Sequence, residues 1–146
     1  MTKACPICLE RGAENVVIGH NRILYTGGEM IDTHISDGPT IRYNILGPGV
    51  DRNSNAIMID SSRPAITNNI SLENMTLMWL DSYGPVEGGE VTYNKFVKGT
   101  IINFMCSTPR FKNNNIYGEI YLPIHVTTSH QLIYPITTVE LQISMK

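Results

Sequence analysis

Apolar and polar positions alternate with a period of two over long stretches of the chain. From Ile116 to Val126 the even positions read Ile116, Gly118, Ile120, Leu122, Ile124 and Val126, and the odd ones Tyr117, Glu119, Tyr121, Pro123 and His125. Such a period describes an extended strand with one face buried. Ile133 to Ile143 repeats it, and Pro123 and Pro135, which cannot donate to a ladder, belong at an edge or a bulge. Upstream, Ile41, Tyr43 and Ile45 alternate with Thr40, Arg42 and Asn44. Further strands are predicted at 16–25, 56–60, 91–97 and 99–106. In 69–81 the apolar phase switches from Ile70 and Leu72 to Met75, Leu77 and Trp79, which a one-residue bulge near Asn74 reconciles, placing Trp79 in the core. Gly, Pro and Asn clusters at 37–39, 47–49, 51–55, 83–89 and 112–115 supply the turns. About eight strands and no amphipathic helix longer than two turns predict an antiparallel β-sandwich, jelly-roll-like, over residues 16–146. Residues 1–15 precede the first clear strand and read as a short irregular N-terminal arm carrying Cys5 and Cys8.

The string NISLENMTL at 69–77 resembles a rung of the right-handed parallel β-helices of pectate lyases and phage tailspikes, in which apolar residues alternate inward and Asn residues stack. The resemblance is confined to residues 40–80 and implies a parallel coil in place of facing layers. The longer strands after residue 90 exceed a rung and favour the sandwich.

Composition sharpens the picture. Of 146 residues 42% are hydrophobic and only 16% charged, and the balance is rich in Asn, Thr, Ser and Gly, which favours strands and turns over helices. The net charge is −2 and the cations are dispersed; the nearest approach to a patch is Lys95, Lys98, Arg110 and Lys112, read as a solvated face. Without a basic arm the counterion-release drive for nucleic-acid binding is weak, so no nucleic-acid partner is expected. No apolar run is long enough for a membrane-spanning helix, and MTKACPICLERG lacks the apolar centre of a signal peptide, so synthesis in the cytoplasm is expected. Asn69-Ile70-Ser71 and Asn74-Met75-Thr76 match the glycosylation sequon by chance on this reading.

Candidate chemistry centres on ACPICLERG. CPICLE resembles the opening of a RING finger, in which Cys-x-x-Cys supplies the first two zinc ligands, but the further Cys and His pairs of that family are missing. Cys5, Cys8 and His20 form a weak metal set, whose fourth ligand would come from Cys106, His34, His125 or His130. A thioredoxin-type role would need the pair at the start of a helix, which this chain does not offer. Cys5 and Cys8 are alternatively inert thiols or crosslinks to a neighbouring subunit. The Asp32–Asp37 stretch holds acid, His and Ser, yet neighbours on a strand face opposite ways, so no triad follows. The double-stranded β-helix oxygenases use a two-His-one-carboxylate triad, but their His-x-Asp/Glu spacing is absent here. The outward stripe Tyr117, Glu119, Tyr121 and His125 is a candidate binding face.

These observations predict a non-enzymatic structural or assembly protein without cofactor: a decoration, fibre, tail or capsid subunit of a viral or phage particle, or of a surface appendage. It would self-associate through sheet faces and the arm, or bind other particle proteins, and reside in the virion. The alternatives are a carbohydrate- or receptor-binding module, and a metal-dependent enzyme built on His34, His125 and His130.

Overall fold

The computed structural model describes residues 5–50, 54–72, 76–80, 88–96, 102–104 and 110–116. The strands come in repeating threes: β1 (Ile7–Cys8), β2 (Val17–Gly19), β3 (Arg22–Ile23); β4 (Glu29–Asp32), β5 (Thr40–Arg42), β6 (Ile45–Leu46); β7 (Asn55–Ile59), β8 (Ala65–Thr67), β9 (Ile70–Ser71); β10 (Thr76–Leu80), β11 (Glu90–Thr92), β12 (Lys95–Phe96); β13 (Ile102–Phe104), β14 (Arg110–Lys112), β15 (Asn115–Ile116). Each strand pairs with the strand three places on, always in parallel, giving a first sheet β1-β4-β7-β10-β13, a second β2-β5-β8-β11-β14 and a third β3-β6-β9-β12-β15. Five successive coils of a parallel β-helix result. No helix occurs among the described residues.

This corrects the antiparallel jelly-roll sandwich. A buried face demands a period of two in either arrangement, so alternation carries no information on strand direction. Nor is the apparent strand at 41–45 continuous: Ile41 is fully buried, but Tyr43 is 50% exposed and Ile45 36%, because the chain turns from the second sheet to the third between them. The phase switch expected to be a bulge near Asn74 is likewise a change of sheet, β9 ending at Ser71 and β10 beginning at Thr76. Trp79 stands in register with Met58 and Asn103. The segment read as an arm contributes Ile7–Cys8 to the first coil, paired with Ile31–Asp32. The strands expected at 116–126 and 133–143 lie outside the described residues, apart from Ile116 at the end of β15.

Like residues stack to make the core. Ile18, Ile41, Ile66 and Val91 stand in register along the second sheet, and Ile31 and Ile57 along the first, all buried. Aliphatic stacks of this kind remove apolar surface from water at every coil.

A two-residue corner joins the second sheet to the third. Its first residue (His20, Tyr43, Asn68, Tyr93, Asn113) has φ between 55° and 60°. Its second is Asn21, Asn44, Asn69, Asn94 or Asn114, and these amides form a ladder. The Asn69 Oδ1 accepts from the backbone N–H of Asn44 at 3.0 Å and from its Nδ2 at 2.9 Å, while Asn69 Nδ2 donates to the Ile41 carbonyl at 2.9 Å and to Asn94 Oδ1 at 3.0 Å. A buried corner thereby satisfies backbone groups that no sheet can pair. Asn69, in one of the two sequons, is 2% exposed and fully engaged here.

Candidate metal centre

Along the first sheet Ile7, Ile31 and Ile57 stand on one face, and Cys8, Asp32 and Met58 are the register partners beside them. Around the cluster, from Ile31 to Thr33 and from Ile57 to Ile59, buried and accessible positions alternate with the pleat: Ile31, Thr33, Ile57 and Ile59 are buried, Asp32 and Met58 half-buried, and Cys8 exposed. Parallel pairing thus sets Cys8 next to Asp32, 24 residues on, and the turn before β1 brings Cys5 back to them. The two Sγ atoms and a carboxylate oxygen of Asp32 all lie within 4.8 Å of one another.

Cys5 and Cys8 are joined as a disulfide. A disulfide sulfur is not a thiolate, so the ligand group is complete only after reduction. Asp32 carries the stronger electrostatic signal. Its Oδ1 is buried without a hydrogen-bond partner. Desolvation raises its carboxyl above the usual carboxylate range, Glu29 and Asp60 push the same way, and His34 opposes through its charge and a backbone hydrogen bond. A half-buried carboxylate with an unsatisfied oxygen favours a cation beside it.

This grouping overturns the expectation of a non-enzymatic particle subunit, whether virion, capsid or fibre. The sandwich on which that expectation rested is absent, and Cys5, Cys8 and Asp32 form a potential metal-ligand cluster consistent with a metal-binding or catalytic role. Asp32 was missed as a partner of the cysteines because the 24-residue coil step that joins them is invisible without the fold.

The other candidates fall elsewhere. His20 stands at the exposed corner between the second and third sheets, stacked on Tyr43 with ring centroids 5.1 Å apart and planes 15° from parallel. His34 Nδ1 lies 4.0 Å from Oδ2 of buried Asp60. Thr33 Oγ1 donates to the Met58 carbonyl, lies 3.2 Å from Ser61 Oγ as a hydroxyl pair and accepts from the Asp60 backbone N–H, and Ser36 Oγ donates to the Thr33 carbonyl, so the polar 32–37 stretch is a hydrogen-bonded corner. Tyr117, Glu119, Tyr121, His125, His130 and Cys106 lie outside the described residues. No protein-family model matches the chain, and comparisons with curated proteins and with solved structures find no match either.

Proposed function

We propose that, with Cys5 and Cys8 reduced, the first-coil cluster binds a divalent cation of the zinc class and that the protein is a metal-dependent enzyme of hydrolytic type. One observation carries the reading: two sulfurs and a carboxylate with a buried, unpartnered oxygen meet within 4.8 Å on one edge of the coil. Two thiolates and a carboxylate suit a borderline-soft cation. Three protein ligands leave a tetrahedral ion its fourth position, the arrangement of catalytic rather than structural zinc. Bound there, such an ion would supply Lewis acidity and an acidified water. Exposed Cys8 gives solvent and substrate a route to the group. A dithiol reductant delivers two electrons and two protons to the Cys5–Cys8 bond, becoming a disulfide itself, and the two thiols so formed release their protons to solvent on binding the cation as thiolates.

Titrating the reduced full-length protein with Co2+ tests this directly. One equivalent should bind and give the thiolate-to-metal charge-transfer absorption. Cys8→Ser should abolish that band, and Asp32→Asn should weaken binding at least tenfold. A reduced protein that binds no Co2+ or Zn2+, or an Asp32→Asn variant that binds as tightly as the parent, would overturn the metal site. Metal binding with no chelator-sensitive hydrolysis across ester, phosphoester and glycosidic probes would overturn the enzymatic part alone.

A further inference from the structure

The two sulfurs of the metal-ligand cluster are also the two ends of a disulfide, and they cannot serve both purposes at once. Cys5, just before β1, is bonded to Cys8 within it. A sulfur in that bond has no thiolate charge to offer a cation, and a sulfur that holds a cation as a thiolate is not bonded to its neighbour. Asp32 is the one member present in both states. One of its carboxylate oxygens stands within 4.8 Å of both sulfurs, and its Oδ1 is buried with no hydrogen-bond partner.

The turn accommodates either state. Two thiolates bound tetrahedrally at about 2.3 Å from a zinc-class ion sit about 3.8 Å from each other. In a disulfide the same atoms are about 2.05 Å apart. The Cα atoms of Cys5 and Cys8 are 6.1 Å apart. Rotating one χ1 from one staggered well to the next moves its sulfur farther than the ~1.7 Å that separates the two states, so the backbone of β1 stays where it is. Access is unequal: Cys8 is exposed and Cys5 half-buried, so a reagent from solvent meets Cys8 first. Exposed disulfides belong to the labile, regulatory class rather than to the structural one.

We infer that the Cys5–Cys8 pair is a redox switch on the metal site: a hydroperoxide closes the disulfide and expels the cation, and a dithiol opens the site again. The inference rests on the metal reading above and supplies its regulation. In the closing direction the Cys8 thiolate attacks a peroxide oxygen, the O–O bond breaks, and the departing oxygen takes a proton from solvent. Cys8 is left as a sulfenic acid. The Cys5 thiolate then attacks the Cys8 sulfur, the S–S bond forms, the S–O bond breaks, and hydroxide leaves to take a second proton as water. Two electrons have passed from the sulfurs to the peroxide, and Asp32 alone does not retain the cation. The coupling is reciprocal: a cation that binds only the dithiol makes the pair harder to oxidise.

The test uses the full chain with Cys106→Ser, which leaves Cys5 and Cys8 as its only cysteines. Reduced and loaded with Zn2+, it is treated with hydrogen peroxide while a chromophoric chelator reports free Zn2+ and mass spectrometry reports disulfide. One Zn2+ should be released for each disulfide formed, with the same time course, and dithiothreitol should restore uptake. In glutathione redox buffers at fixed free Zn2+, the midpoint potential of the pair should fall by about 30 mV for every tenfold rise in Zn2+ above its Kd. Asp32→Asn, binding at least tenfold more weakly, should show a fall at least about 30 mV smaller at equal free Zn2+. Reduced protein that takes up no Zn2+ would overturn the metal site and the switch together. Zn2+ retained after the disulfide has formed, Zn2+ lost without disulfide formation, or a midpoint indifferent to free Zn2+ would overturn the switch and leave the metal site standing. A disulfide that yields to reductant only in denaturant would overturn it too.

Discussion

The asparagine ladder concentrates stability in single side chains. Asn69 accepts two hydrogen bonds from Asn44, and its two amide hydrogens are shared among the Ile41 carbonyl, the Thr67 carbonyl and Asn94 Oδ1, all within a buried corner. Alanine there strands the buried Asn44 backbone N–H and takes a partner from the Ile41 and Thr67 carbonyls, while the Asn44 and Asn94 amides each lose one bond and keep another, each unsatisfied group costing roughly 1–3 kcal/mol. We therefore expect Asn69→Ala to cost about 3–5 kcal/mol in urea denaturation, allowing for partial relaxation. Asn21 stands at the donor end: it gives hydrogen bonds to Gly19 and Asn44, and its own backbone N–H keeps its bond to Asn44 whatever the side chain. Asn21→Ala should cost less than half as much. Equal losses at the two positions would mean that the ladder acts as individual caps and not as a chain of mutually dependent amides. The exposed Asp37–Arg63 pair, which links the second and third coils, is a second residue-level contact with a defined pH signature. Its hydrogen bond to Arg63 lowers the Asp37 carboxyl below its ordinary value. The contribution is therefore present above the unfolded value and disappears as pH falls through the lower, folded one. Arg63→Gln should reduce the stability difference between neutral and strongly acidic pH and leave the acid end unchanged, as read from melting temperature against pH.

At the scale of the element, each coil must pass close to the last, and glycine marks the tightest approach. Gly89, just before β11, has φ +95°, and a Cβ there would meet the Pro64 Cδ at 2.6 Å and its carbonyl at 2.7 Å. Neither atom is the loose end of a flexible side chain, so β11 would have to lift from β8. Gly89→Ala should destabilise by roughly 2 kcal/mol or more through strain and lost ladder bonds. A neutral effect would show that the fourth coil has room to shift. The elements themselves were partly legible. Ile41, Ile66 and Val91 alternate as strands must, and their existence follows from pattern alone. Their ends did not follow, because a corner such as Tyr43-Asn44 turns the chain with one left-handed residue and one amide and needs neither Gly nor Pro. The recurring residue-Asn pairs at 20–21, 43–44, 68–69, 93–94 and 113–114 hold the missing information, spaced by 23, 25, 25 and 20 residues. Read as a repeat, they specify the coil; read singly, they look like loop residues. The candidate site was half-legible in the same sense: Cys5-x-x-Cys8 shows in the sequence, while Asp32 joins it only through the coil step.

For the molecule as a whole, a stack of coils makes stability a matter of neighbours. Strands β4 and β7 each hydrogen-bond on both sides, whereas β1 has β4 alone among the described residues. Amide exchange should therefore be fastest in β1 and slower in β4 and β7, since local opening costs least where the fewest partners are lost. The cysteine cluster adds a specific lever on this gradient, because it draws ligands from two coils, Cys5 and Cys8 from the first and Asp32 from the second. A disulfide between Cys5 and Cys8 constrains only its own turn; a cation held by all three ties β1 to β4. Reduction alone should leave exchange in β7 unchanged. Adding Zn2+ to the reduced protein should slow exchange in β1 and β4 selectively, because a ligand that binds only the docked coil stabilises that docking by mass action. Asp32→Asn should remove the selective slowing even where the thiolates still capture metal, since the coordination then stays within the first coil. Uniform slowing across all strands would instead identify the molecule as one cooperative unit, and slowing that survives Asp32→Asn would place the ion on the cysteine turn alone, without the carboxylate.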